Sequence, residues 1–313
     1  MPAIGRLRIS PADIGRRVSI RHLGGTDLTD VLGHLVSWVG DWPTGILSIR
    51  KKDGSSQEIV SGKIVAAIVI APEIGSLDLQ RYCENTWAPK EREQLGDWVL
   101  RFSGNESARA NSCRLDGLPE SSIEEGLEKI TSWYKQRNAV AIVQSPKPGA
   151  FDNFLIKNNW QEIVHALYMV SETNTFQTPT VIIEEDLSDA WFDTALNSDS
   201  RAPKLSRELL QSGDQVRFAS IGDENKKIIA IGRVSITSEI AMVTTVWVDE
   251  KYRGQGLAKT IMQALSNEVY KLGQKIIVLQ VLKTNDVAVG LYKSLGYEIH
   301  HENSYYRHTR KPA

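Results

Sequence analysis

Cysteine is scarce: Cys83 and Cys113 are the only two in 313 residues. Two thiols cannot build the disulfide framework of a small secreted domain, and they fit a reduced cytoplasm. Long apolar runs are also missing. The longest, Ile64 to Ala71, has eight residues, against the ~20 that a membrane helix needs. Arg6, Arg8, Arg16 and Arg17 are followed by no apolar segment, so no signal peptide is expected. Neither charge is in excess, with 37 Lys+Arg against 38 Asp+Glu. That balance argues against nucleic acid as the main ligand. What remains is ordinary globular composition, 41% hydrophobic and 24% charged. At roughly 100–200 residues per domain, the length predicts two or three domains. The expectation is a cytoplasmic, multidomain protein with no membrane segment.

The first 75 residues read as strands without helices. Arg16 to Arg21 alternates with period two, and Val31 to Val39 follows a turn at Gly24-Gly25-Thr26-Asp27. Gly45 to Lys51 runs into Lys52-Asp53-Gly54-Ser55, a hairpin signal because Asp-Gly tolerates positive φ. Ile64 to Ile70 closes the set. Four or five short strands predict a small SH3-like β-barrel over 1–75. From residue 76 the pattern alternates helix and strand. Ile123 to Lys135 carries apolar residues at 123, 127, 130, 133 and 134, a helical stripe. Strands are predicted at 98–102, 110–115, 139–143 and 165–170, and a helix at 151–158. The polar stretch Ser171 to Pro179 is the candidate linker. Beyond it, strands are predicted at 181–183, 215–220, 227–237, 241–248 and 275–282. Helices are predicted near 188–196 and 203–211 and at 256–272 and 286–295, with a last strand around Tyr305-Tyr306.

The informative stretch is Val246-Trp247-Val248-Asp249-Glu250-Lys251-Tyr252-Arg253-Gly254-Gln255-Gly256-Leu257-Ala258. A strand ends, a glycine-bearing loop follows, and a long helix begins. Glycines let the backbone approach a ligand and turn several N–H groups the same way. A helix start adds orphan donors and partial positive charge, so such a loop can hold a pyrophosphate. The alternative is a surface turn with two glycines.

The stretch resembles the acetyl-CoA-binding motif of the GNAT acyltransferases, Gln/Arg-x-x-Gly-x-Gly/Ala, at Arg253, Gly256 and Ala258. The following run resembles the family's next strand and helix through Leu279, Val281, Asn285, Ala288, Leu291, Tyr292, Gly296 and Tyr297. The resemblance covers roughly 180–313. It implies a mixed α/β fold, acetyl-CoA as cosubstrate and an amine acceptor. It also implies backbone pairing of Val246 and Val248, flanking Trp247, with the pantetheine arm. The N–H groups of Arg253, Gly254, Gln255, Gly256, Leu257 and Ala258 would hold the pyrophosphate. Asn285 would touch the pantetheine, and Tyr292 would protonate the leaving thiolate.

The base departs from the family pattern. The strand Ala241 to Trp247 carries no carboxylate where many relatives place a glutamate. Glu239, just before it, is the candidate, acting through a water, with Asp249 and Glu250 near the loop. A lysine-like amine of pKa ~10.4 must give up ~3.4 units at pH 7, about 4.6 kcal/mol, to become neutral. An α-amino group near ~8 needs only about 1.4 kcal/mol. A low-pKa amine is the easier substrate.

Shifting the chain by 137 residues lays Phe154 on Leu291, Leu155 on Tyr292, Asn159 on Gly296 and Trp160 on Tyr297. The order strand–helix–strand is kept, which suggests two related lobes, as in tandem GNAT proteins. In this frame Asp116-Gly117-Leu118-Pro119-Glu120-Ser121 meets the phosphate loop. Two carboxylates repel a pyrophosphate, Pro119 offers no N–H, and Leu155 cannot donate a proton. The expected organisation is a barrel at 1–75, a degenerate GNAT-like lobe at 76–174 and a catalytic lobe at 175–313. Arg109-Ala110-Asn111-Ser112, with Trp98 and Arg101, has the composition of a cleft lining; an ordinary edge strand is the alternative. No metal site is expected, because His300 and His301 are adjacent on a strand and should face opposite ways. Cys83 and Cys113 read as buried apolar residues. The functional expectation is an acetyl-CoA-dependent N-acetyltransferase acting on a primary amine of a small molecule or protein. The alternative is a non-catalytic acyl-CoA-binding or adaptor protein that docks a partner through Trp38 and Trp42 of the barrel.

Overall fold

The computed structural model describes residues 7–25, 27–51, 54–70, 74–104, 107–198 and 206–309. The chain divides into two compact units, Met1–Glu73 and Ile74–Ala313. Among the described residues, no helix is long and apolar enough to cross a membrane.

The first unit holds β1 (Leu7–Arg8), β2 (Arg17–Gly24), β3 (Asp27–Val39), β4 (Ile46–Arg50), β5 (Ser56–Val60) and β6 (Ile64–Val69). They form one sheet in the order β1-β6-β2-β3-β4-β5. Period-two alternation sends Val18, Ile20, Val31, Leu35, Leu47, Ile49, Ile59, Ile64 and Ala67 into one core. Burying each of the larger side chains contributes roughly 1.5–3 kcal/mol. No ladder among the described residues joins β1 to β5, so the sheet is open and the closed barrel expected from the sequence is not seen. Alternation marks strands but does not encode the stagger that closing a barrel requires. At the expected hairpin, Gly54 has φ +83°, while Lys52 and Asp53 lie outside the described residues.

The second unit opens with α1 (Ser76–Thr86), β7 (Glu91–Leu95), β8 (Trp98–Phe102) and β9 (Cys113–Leu115). Then come α2 (Ile123–Gln136), β10 (Ile142–Lys147), α3 (Asp152–Lys157) and β11 (Trp160–Glu172). The next elements are β12 (Ile182–Glu184), α4 (Asp189–Asn197), α5 (Arg207–Leu210), β13 (Gln215–Gly222) and β14 (Ile228–Ile236). The chain continues through β15 (Ala241–Val248), α6 (Leu257–Lys271), β16 (Ile276–Leu282), α7 (Asp286–Ser294) and β17 (Glu298–His308). All eleven strands share one sheet, ordered β12-β13-β14-β15-β16-β11-β17-β10-β9-β8-β7.

Apart from β12, which has no counterpart, this order is symmetric about the β11–β17 pair. Each half has antiparallel strands outside and then one parallel pair, β15 with β16 and β9 with β10. At the middle the two halves exchange strands. β11 pairs with β16, and β17 pairs with β10, while β11 and β17 pair with each other. The exchange extends into the cores. Leu167 and Met169 of β11 pack with α6 residues Ile261 and Leu265. Tyr306 of β17 packs with Trp98, Ile130 and Leu155. The stretch 173–181 between the halves is tied down rather than free. Asn267 of α6 accepts from the Phe176 N–H at 2.7 Å and donates to its carbonyl at 2.9 Å.

Candidate active site

β15 and β16 start side by side and then part. Their ladder covers only Ala241–Val243 against Ile277–Leu279. The cause is a bulge: between Thr244 and Trp247 one extra residue is inserted opposite β14, and Thr245 has φ +54°. Past it, among the described residues, no strand pairs with Thr244–Val248 on the β16 side, which leaves backbone donors and acceptors for an extended ligand. Val246 and Val248 pack toward α6 and α7, and Trp247 packs on the opposite face with Trp191 and Phe218.

The loop after β15 ends on Gly256, the N-cap of α6, in the left-handed region at φ +79°. Gly254 is likewise at φ +78°. A Cβ at either would have nothing within 4 Å, so conformation rather than crowding demands glycine there. The N-terminus of α6 receives no side-chain cap and its first turn holds no acidic residue. The amides of Leu257, Ala258 and Lys259 therefore remain donors, with the helix dipole behind them. Arg253 and Gln255 are exposed on the same loop. Arg253 donates through Nε to the Val248 carbonyl at 3.2 Å and lies 3.3 Å from Glu250.

The loop at the start of α2, which a 137-residue shift lays on this one, is built differently. Ser122 caps that helix, and Glu124 and Glu125 occupy its first turn. The Leu118 N–H donates to Asp97 Oδ2 at 3.0 Å. Its donors and its dipole are already answered by the protein's own oxygens.

On the next strand–helix unit, Asn285 caps α7 by accepting from the Ala288 N–H at 3.1 Å. Tyr292 is half-buried on α7, against the core of α6 and beside Tyr297. Burial pushes its phenol up to about 12, and its hydroxyl has no hydrogen-bond partner among the described residues. On the opposite face, where β15 and β16 separate, lies a cavity of about 400 Å³. Its walls include Trp87, Arg109, Thr244, Thr245, Gln280 and Tyr305. Glu239 is not part of it. That residue is exposed in the β14–β15 turn, at the far end of β15 from the bulge, and lines a separate cavity with Glu84 and Asp116.

Comparison with known proteins follows from this geometry. Residues 78–306 match the profile of the family described as "Probable histone acetyltransferase Rv0428c C-terminal". The chain belongs to this family of GNAT N-acetyltransferases. It is 22% identical over 240 residues to the uncharacterized N-acetyltransferase YobR of Bacillus subtilis, covering 72% of this chain and 96% of that one. A 74-residue stretch is 31% identical to the ribosomal protein bS18-alanine N-acetyltransferase of Escherichia coli, covering 24% of this chain and 50% of the relative. Among solved structures, a GCN5-related N-acetyltransferase from Kribbella flavida superposes with TM-score 0.59 at 12% identity, covering 77% of this chain and 98% of that one. A tandem GNAT protein from the clavulanic acid biosynthesis pathway gives 0.51 at 11% identity, covering 78% and 90%. As a GNAT N-acetyltransferase, the chain has acetyl-CoA as its implied acetyl donor, together with an acceptor.

Sequence reading of this acetyltransferase singled out the loop, Asn285 and Tyr292, but missed most of the cavity on the other face. Arg109 lines that cavity, whereas Trp98 and Arg101, from the same half, are buried and do not line it. Gln280 and Tyr305 had no local signal, because they sit on β16 and β17 and meet across the intervening β11. The histidine expectation needs correction. A bulge at His300 turns both rings together, with Nδ1 atoms 2.8 Å apart, instead of to opposite faces. Among the described residues no cluster of metal-ligating side chains is found. Cys83 and Cys113 are buried thiols, and burial pushes Cys83 up to about 12.

Proposed function

We propose that this GNAT enzyme transfers an acetyl group from acetyl-CoA to a primary amine by direct attack on the thioester. In this reading the pantetheine arm lies along Val246–Val248 as an added strand, and the pyrophosphate rests on the amides from Arg253 to Ala258. The spare amide hydrogens of Asn285 meet the pantetheine. The amine enters from the cavity, forms the C–N bond, loses its proton, and the C–S bond breaks. Tyr292 donates to the departing sulfur. Glu239 is assigned no part, and no carboxylate lines the cavity among the described residues. The amine must therefore reach the thioester already neutral or give its proton to water.

The half from α1 to β11 is proposed to be a GNAT-like lobe that has lost cofactor and chemistry. Asp97 and Ser122 answer its loop donors, and the 137-residue frame lays Leu155 on Tyr292. Its remaining roles are to lend β11 to the catalytic sheet and to wall the acceptor cavity. The open sheet of 1–73 has the strand content of an SH3-like module and takes no part in the chemistry. Trp42, exposed there, is the proposed point of contact for a protein partner.

The observation that carries the reading is the parted β15–β16 pair leading to an uncapped helix start. The test is thermal stabilisation by acetyl-CoA, which follows mass action. Gly256→Val puts a β-branched residue at φ +79° and blocks backbone approach. It should abolish most of the shift, and a normal shift would sink the loop assignment.

A further inference from the structure

The cavity beside the parted strands carries unbalanced positive charge. Arg109 donates through Nε and Nη2 to Gln280 Oε1, at 3.0 and 2.8 Å. Gln280 in turn donates to the Tyr305 hydroxyl at 3.2 Å. This network fixes the guanidinium 5.6 Å from the centre of the Trp87 ring. Its Nη1 has no hydrogen bond and Arg109 no carboxylate partner among the described residues.

A second cation stands behind the same indole. Arg233 is fully buried, with its guanidinium carbon 5.0 Å from the Trp87 ring centre. It donates to the carbonyls of Leu210, Thr86 and Ser212, and through Nη1 to Thr244 Oγ1 at 3.1 Å. Every one of these acceptors is neutral. Burial and the nearby Arg109 pull Arg233 down to about 9, which still leaves it charged at neutral pH.

The rest of the unit does not tolerate such an imbalance. Arg101 lies 3.5 Å from Glu84, and Arg114 pairs with both Glu84 and Asp116. A buried charge is costly unless paired. Arg109 in the cavity wall and Arg233 behind Trp87, neither with a counter-ion among the described residues, make this side of the cavity, where the acetyl group would arrive, a site waiting for an anion.

We propose that the acceptor is an amine that carries a carboxylate, an amino acid or a close analogue, with its carboxylate received by Nη1 of Arg109. With Nε and Nη2 held by Gln280, the fork is fixed in place and Nη1 offers a charge-assisted donor to the carboxylate. The arrangement also explains how a cavity without a base can work. With Arg109 taken up by the carboxylate, the buried Arg233 behind Trp87 still disfavours an ammonium nearby, so the amine loses its proton more readily once bound. A lysine-rich protein tail would bring more positive charge into this wall and be repelled. This inference rests on the acetyltransferase reading above.

The test uses paired acceptors, α-amino acids and their carboxamides, with thiol release from acetyl-CoA as readout. The parent should favour the carboxylate member at least tenfold in kcat/KM. Arg109→Gln should lose about 10–100-fold on carboxylates and little on carboxamides, with the KM for acetyl-CoA unchanged. Arg109→Lys, which keeps the charge but not the fork, should fall between them. A parallel calorimetric titration of the same proteins with N-acetylated amino acids and their amides, in the presence of CoA, reads the subsite without turnover. Carboxylate binding that depends on Arg109 supports the proposal even if every acceptor is inert, in which case the catalytic reading alone fails. Equal handling of carboxylate and carboxamide, or full discrimination retained by Arg109→Gln, overturns the subsite while leaving the acetyltransferase intact.

Discussion

Replacing Tyr292 by phenylalanine separates acid catalysis from packing. The ring lies against the core of α6 and α7, and Phe retains it. The hydroxyl has no partner within the described protein, so its removal strands no donor or acceptor and the melting temperature should hold within a degree or two. The catalytic cost follows from its acidity. Burial holds the phenol at about 12, whereas an ordinary thiol titrates near ~8.5. Complete proton transfer to the thiolate is thus uphill by ~3.5 units, about 4.8 kcal/mol. In its proposed role Tyr292 would therefore act chiefly as a hydrogen-bond donor to sulfur as negative charge develops there. A hydrogen bond to a charged group is worth about 1.5–3 kcal/mol, which predicts a loss of roughly 10–150-fold in kcat at 1.4 kcal/mol per tenfold. Acetyl-CoA affinity should be unchanged, because the proposed phosphate grip lies on α6. The pH dependence carries a sign. A phenol raised in the folded state stays protonated past pH 10, so no alkaline limb from Tyr292 should appear below that value. The stability it lends through its neutral form is complete below pH ~10 and is lost as pH rises toward about 12. Steady-state kinetics and melts of the two proteins check this. An unchanged kcat in Tyr292→Phe would refute the assignment, and so would a loss confined to KM.

Two further perturbations read the architecture. A chain of residues 74–313 should bind acetyl-CoA as the full chain does, since the whole loop–helix site lies within that unit. By contrast, residues 175–313 alone should show no cooperative melt, because β16 and β17 lose the strand between them and the core loses Leu167 and Met169. A folded, cofactor-binding 175–313 fragment would refute the exchange. His301 stacks on Tyr168, and burial together with His300 holds it down to about 3. Its contribution is present above pH ~6.5 and lost as pH falls, with a slope of up to ~1.4 kcal/mol per pH unit. Denaturant melts at pH 7 and 4.5 should show a smaller acid loss in His301→Gln than in the parent.

What the sequence revealed and what it hid divide along one line, that of contact distance. Gly256, Asn285 and Tyr292 belong to short strand–loop–helix units whose spacing is itself the signal. The 137-residue frame carries α3 into α7 and β11 onto β17 for the same reason, because length between elements is a local property. α1 was overlooked because its buried face includes Gln80, Glu84 and Thr86, and polar residues there blur the apolar stripe. Glu84 is buried to neutralise Arg101 and Arg114, which lie far along the chain. The strand exchange was equally hidden. Nothing in β11 or β17 says which partner lies beside it, so the cavity formed by Arg109, Gln280 and Tyr305 could not be assembled from spacing.

Acetyl transfer to an amine is tested directly by one measurement. The purified full chain is incubated with acetyl-CoA and a panel of amines, amino acids and peptides, and free thiol and acetylated amine are counted in the same samples. The account predicts thiol and N-acetyl product in one-to-one ratio, formed far above the buffer rate, for at least one carboxylate-bearing amine. Tight acetyl-CoA binding with no thiol released beyond the buffer rate on any acceptor would contradict it, and would leave a protein that holds the thioester without using it.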